Sequence, residues 1–180
     1  DLSQTIAHYN FKSIRLILKH KCWNNLVSFK HSMLRGSYED LILDFLKRCP
    51  KLEVIGVTQC SASYIKRLYK ICLDRGLKLQ LDYVEAATLQ QLLKVSSRLE
   101  NIECIELKYQ KSANFASMLR RIAHINFIGL HFTNMPCLKI LEELKRHKAL
   151  QQSKALSISY TYTGNQDNKQ ARLMANGVSF

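Results

Sequence analysis

LEVIGVTQC, residues 52–60, carries aliphatic side chains at Leu52, Ile55 and Val57 and ends on Cys60, a pattern of the form L-x-x-L-x-L-x-x-C. Ile55 and Val57 flank a glycine, so an extended chain sends both to one face and leaves Val54, Gly56 and Thr58 on the other. The same spacing recurs at Ile102, Ile105 and Leu107, and again at Ile125, Ile128 and Leu130. Weaker copies are Phe11, Ile14 and Leu16; Leu79 and Leu81; Leu156 and Ile158; and a poor one at Trp23, Leu26 and Ser28. Taking the first aliphatic of each central pair as anchor gives positions 14, 26, 55, 79, 105, 128 and 156, spaced by 12, 29, 24, 26, 23 and 28 residues. Periods in the twenties are those of a strand-and-crossover repeat, whereas an interval of 12 is too short for a helical crossover between parallel strands.

Between the strands the apolar period changes from two to about 3.6. Tyr64, Ile65, Leu68, Ile71 and Cys72 form one such helical face, and Leu89, Leu92, Leu93 and Val95 another. Ser61 and Ser63 are placed as N-terminal caps, Gly76 as a C-terminal cap, and Pro50 and Pro136 stand at or near element ends. Alternating strands and helices with short connections predict a parallel sheet. A doubly wound sheet would show continuous aliphatic strands, because both faces are covered. Here Gly56, Glu106 and Gly129 interrupt them, which favours a horseshoe with every helix on one side and an open strand face.

These repeats resemble the cysteine-containing and ribonuclease-inhibitor-like leucine-rich repeats of F-box substrate receptors, and Cys49-Pro50-Lys51-Leu52-Glu53-Val54-Ile55 looks like the C-P-x-L-x-x-L junction of that group. The position after each strand that usually holds Asn or Cys is Cys60 in one repeat and Gln110 and Thr133 in others. The resemblance implies an α/β leucine-rich-repeat horseshoe of about six to seven repeats, with parallel strands concave and helices convex. The likeness covers roughly residues 11–160; a solenoid is expected over residues 1–160, with the Gly-, Asn- and Gln-rich stretch 161–180 as a C-terminal cap or flexible tail. The resemblance also implies a non-catalytic module that binds another protein, as the substrate-recognition part of a larger F-box-type receptor. It carries over no functional residue.

Strand parity names the partner-binding face: Arg15, Lys78, Gln80, Asp82, Glu106, Lys108, Phe127 and His131, with Val54, Gly56, Thr58, Ser157 and Ser159 between them. The formal net charge of +13 raises a nucleic-acid alternative. Stacked repeats would align Arg48, Lys70, Arg98, Arg121 and Arg146 into a basic ridge able to follow phosphates. Against it, many of the cations fall late in their helices, where they offset the negative helix end. No helix-turn-helix or zinc-finger pattern accompanies them.

The remaining chemistry is sparse. Motifs for metal, nucleotide or serine-nucleophile chemistry are missing, and the six histidines lack ligand spacing, so no cofactor, metal, small-molecule substrate or catalytic residue is expected. His20 beside Cys22 is read as a surface histidine next to a packed thiol. The six cysteines are irregularly spaced, several in apolar stretches, and are expected to be free core thiols. No apolar run approaches the roughly 18 residues of a membrane helix, and there is no N-x-S/T acceptor. A cytoplasmic or nuclear location without membrane contact is therefore expected.

Overall fold

The computed structural model describes residues 21–32, 37–109, 113–133, 136, 138–146, 155–161 and 170–176. The chain divides into two compact units, residues 1–81 and 82–180. In the first, β1 (Ser28–Ser32), α1 (Ser37–Lys47), β2 (Val54–Thr58) and α2 (Ala62–Arg75) lead into β3 (Lys78–Val84), within which the division falls. In the second follow α3 (Ala86–Val95), β4 (Ile102–Lys108), α4 (Ala113–Arg121), β5 (Phe127–Phe132), α5 (Leu138–Lys145), β6 (Ala155–Thr161) and β7 (Gln170–Asn176).

β1 pairs parallel with β2, setting Phe29 beside Ile55 and His31 beside Val57. β4, β5 and β6 are likewise parallel, so that Ile105, Ile128 and Leu156 form one row and Leu107, Leu130 and Ile158 the next. The fold is thus α/β, with alternating strands and helices as the period change predicts. The anchors at 55, 79, 105, 128 and 156 all fall inside strands. Within residues 161–180, β7 runs antiparallel to β6.

The strand expected around Leu26 needs correction. Lys21–Asn25 is a 3-10 turn, closed by the Leu26 amide on the Trp23 carbonyl at 3.1 Å, and β1 begins only at Ser28. Trp23 stands edge-on to Phe45 at 5.4 Å, which draws the turn toward α1. The core residues of β1 are Phe29 and His31, both buried; a histidine in a core position hid the strand from the aliphatic pattern. Phe29 precedes its partner Ile55 by 26 residues, an ordinary period, so the interval from 26 to 55 disappears. The strand expected at Phe11, Ile14 and Leu16 lies outside the described residues.

Alternate strand residues make the core. Ile55, Leu79, Leu81, Ile105, Leu107, Ile128 and Leu130 are all fully buried. The helices close over them largely with the faces foreseen: Tyr64, Ile65, Leu68 and Cys72 on α2, where Tyr69 is buried and Ile71 only half-buried, and Leu89, Leu92 and Leu93 on α3, where Val95 is half-buried. Each such side chain contributes about 1.5–3 kcal/mol on burial. Cys49 and Cys72 are buried among them, and Cys49, Cys60, Cys72 and Cys104 are all free thiols. Among the described residues, no helix is long and apolar enough to cross a membrane.

The helix ends explain part of the basic excess. At the start of α2, Ser61 Oγ accepts the Tyr64 amide at 3.2 Å. At its end, Gly76 adopts the left-handed conformation at φ 66°, which a side chain would resist, and the Leu77 amide returns to the Cys72 carbonyl at 2.9 Å. Arg75, in the last turn of α2, donates to the Leu46 carbonyl and, through Nη2, to the Cys49 carbonyl at 2.7 Å. It thereby adds a charged donor to carbonyls at and just beyond the end of α1, which also accept the Cys49 and Leu52 amides at 3.3 Å. Arg121 repeats the device in the second unit, where its Nη2 donates from the last turn of α4 to the Leu93 carbonyl near the end of α3 at 3.2 Å. Arg48, just past α1, does this locally, its Nε donating to the Asp44 carbonyl at 3.3 Å. Replacing Arg75 by Met keeps the apolar stem and removes the donors. It should destabilise the chain by about 1.5–3 kcal/mol in urea unfolding, whereas Lys70→Met on the exposed side of α2 should stay within about 0.5 kcal/mol.

Candidate functional site: the strand face opposite the helices

Strand alternation sends every second residue to the side opposite the buried aliphatic row, and the two units use that side differently. In the first unit these positions are Ser28, Lys30 and Ser32 on β1, Val54, Gly56 and Thr58 on β2, and Lys78 and Gln80 on β3. All but Gly56 are exposed or half-buried. Gly56 is covered because Lys30, its partner on β1, lays its stem across it: a Cβ built on Gly56 would sit 2.9 Å from Lys30 Cγ and 3.2 Å from Cδ. A glycine in mid-strand here permits close approach by a neighbour's side chain.

The second unit repeats the motif with opposite charge. Glu106 lies across Gly129, its partner on β5, with Glu106 Cγ 2.9 Å from the position a Cβ would take. Its carboxylate thereby reaches β6, where Ser159 Oγ donates to Oε1 at 2.7 Å. His131 Nδ1 lies 2.9 Å from the same Oγ. A serine hydroxyl has one proton, and it is directed at Glu106, so His131 donates from Nδ1 and the imidazole carries its proton there. Tyr83 packs edge-on against His131 with ring centroids 4.8 Å apart. Strand parity would have sent Tyr83 into the core after Leu81. Its positive φ of 57° breaks the alternation, and the buried Val84 takes the core position instead. Burial holds His131 below its ordinary pKa; Glu106 opposes that shift and Lys108 adds to it.

Glu106, His131 and Ser159 are 7%, 8% and 1% exposed, so the expectation of an open face is corrected at these positions. The reason is their mutual hydrogen bonding and the cover of Tyr83, which a parity argument does not contain. Of the other residues named from parity, Lys78 and Lys108 are exposed, Gln80, Asp82 and Phe127 half-buried, and Arg15 lies outside the described residues. Of the ridge candidates, Arg48, Lys70, Arg98, Arg121 and Arg146 are all exposed, but Arg121 serves the Leu93 carbonyl.

On the core side of the first unit sits a polar pair that sequence reasoning missed. His31 Nε2 is 2.9 Å from the Tyr64 hydroxyl, and both side chains are fully buried. His31 Nδ1 has no partner among the described residues. Burial lowers the imidazole pKa from 6.5 to about 3 and raises that of the Tyr64 phenol. The signal available was the alternation of Phe29 and His31 in SFKHS, residues 28–32.

Chemically, the Ser159 arrangement differs from a nucleophile and its base. The hydroxyl proton points to a carboxylate, the imidazole is a donor to the same oxygen, and the oxygen is nearly inaccessible. Among the described residues, no group of three or more His, Cys, Asp or Glu side chains is placed to hold a metal ion. No protein-family model, curated protein or solved structure matches the chain.

Two measurements follow from these networks. An imidazole held neutral in the fold binds fewer protons than in the unfolded chain, so His31 supports stability fully above pH 6.5 and progressively less down to about pH 3. Urea midpoints should fall as pH drops from 7 to 5, at roughly 1.4 kcal/mol per unit below the unfolded-state pKa, and His31→Gln should flatten the profile to the smaller share of His131. Ser159→Ala, which takes the hydroxyl from between Glu106 and His131, should cost about 1–3 kcal/mol, while Ser28→Ala on the exposed face should be near neutral by the same assay.

Proposed function

We propose that the chain is a leucine-rich-repeat module, strands concave and helices convex, that binds another protein through its strand face as the recognition part of a larger receptor of the F-box kind. The observation that carries this reading is the division of labour along β1, β2 and β3. One set of alternate residues is buried under the helices, while Ser28, Lys30, Ser32, Thr58, Lys78 and Gln80 stand exposed or half-exposed side by side. A sheet held in place by a packed core and lined with hydroxyl, amide and ammonium groups presents a polar surface with little freedom to collapse. Such pre-organisation lowers the entropic cost of association. The helix side supports the reading from the other direction, since Arg75 and Arg121 are occupied with helix carbonyls.

A photo-cross-linking amino acid at Thr58, compared with one at Lys66 on the exposed side of α2, tests this in cells. A discrete protein adduct from Thr58 that is missing from Lys66 is expected. Equal adducts from both sites, or nucleic acid cross-linked in place of protein, would overturn the reading.

A further inference from the structure

We propose that β1 is an acid-released edge strand: protonation of His31 detaches it from β2 and α2 while the rest of the first unit stays folded. Ser28, Lys30 and Ser32 leave with the strand, so acid dismantles that end of the strand face. The release itself is a property of the core and stands apart from the protein-binding reading above.

The place of β1 in the sheet makes a local release possible. Among the described residues it pairs with β2 alone, whereas β2 is held on both sides. Two side chains seat it in the core: Phe29 stands against Phe45 with ring centroids 5.3 Å apart, and His31 stands edge-on to Tyr64 at 5.5 Å. A five-residue strand with two core side chains belongs to the low-energy end of the openings a fold undergoes.

The imidazole is the part of that seat which acid attacks. Its Nε2 is shared with the Tyr64 hydroxyl at 2.9 Å, and its buried Nδ1 has no hydrogen-bond partner. The neutral ring thus leaves one polar atom unsatisfied, whereas an imidazolium would bury a charge together with an Nδ1–H that nothing accepts. Among the described residues no neighbour compensates. β2 sets Val57 beside the ring, β1 itself sets Phe29 there, and α2 contributes Tyr64. Cys60, Glu39, Cys72 and Arg67 act on the Tyr64 phenol, while Glu39 accepts from Ser61 and Arg67 pairs with Asp40. Burial is what moves His31, from 6.5 to about 3. Water supplies the missing partners once β1 leaves, so the open form takes up the proton at the ordinary pKa and the closed form does not. The sign is therefore that of a group with a depressed folded-state pKa whose charged form is excluded. Closure is fully supported above pH 6.5, and the open population rises by about 25-fold between pH 7 and pH 5.

The test is native-state hydrogen exchange on the full chain at pH 7 and pH 5, with and without low urea. It is read by NMR as protection factors, so that the intrinsic pH dependence of exchange cancels. Protected amides of β1 should show lower protection than those of Leu68 and Cys72 on α2, little response to low urea, and a fall of about 25-fold at pH 5. His31→Gln should remove most of that fall. Tyr64→Phe, which takes away the hydroxyl and keeps the imidazole, should lower β1 protection at both pH values and preserve their ratio, which keeps the test open if His31→Gln does not fold. Equal protection and equal urea dependence in β1 and α2 would mean that the strand leaves only with the whole fold, and would overturn the proposal. So would β1 protection that ignores pH, a fall retained in full by His31→Gln, or a ratio lost in Tyr64→Phe.

Discussion

The register in which neighbouring strands pair is the constraint from which the rest follows. Phe29 beside Ile55, and Ile105 beside Ile128 beside Leu156, put every core side chain of a unit into continuous rows. A slip of one residue would turn those rows to solvent and carry the charged neighbours inward. Parallel pairing also forces each connection to cross back over the sheet, so the helices cover the aliphatic rows. The opposite side is left to residues that the core does not dictate.

That freedom is managed by glycine in both units. Gly56 and Gly129 occupy equivalent places between the two core residues of their strands, and each accepts the stem of a charged side chain from the preceding strand. The outcome depends on what lies beyond. Lys30 keeps an exposed side chain, whereas Glu106 meets the Ser159 hydroxyl and is drawn into a closed network with His131 and Tyr83. One local device therefore yields an exposed lysine in one unit and a buried glutamate in the other. The helix ends show the same economy, since Arg75 and Arg121 each serve the end of the helix before their own.

Much of this was legible in one dimension. The strands at Ile55, Ile105 and Ile128, the amphipathic faces of α2 and α3, and the caps at Ser61 and Gly76 are set by local spacing and by conformational preferences that hold in any context. β1 escaped because the pattern sought aliphatics and His31 supplies its second core contact, tolerated there by the Tyr64 hydroxyl contributed from 33 residues away. Tyr83 escaped because a single left-handed residue reverses parity, and nothing about a tyrosine announces a positive φ. The basic residues were seen, but whether each faced solvent or a helix end depended on which neighbour came within reach.

The sequence by itself determined that strands and helices alternate and where the aliphatic core rows of β2 to β6 lie, because the alternation of apolar and polar side chains acts through the local geometry of strand and helix. Only the tertiary structure decided the fate of the residues that alternate with them. Glu106, His131 and Ser159 come from three strands and lie far apart in the chain, so their burial as a hydrogen-bonded set exists only once the strands are in register. Lys30 likewise acquires its constrained position only when Gly56 is brought beside it, since a contact across strands has no counterpart in the spacing of either strand alone.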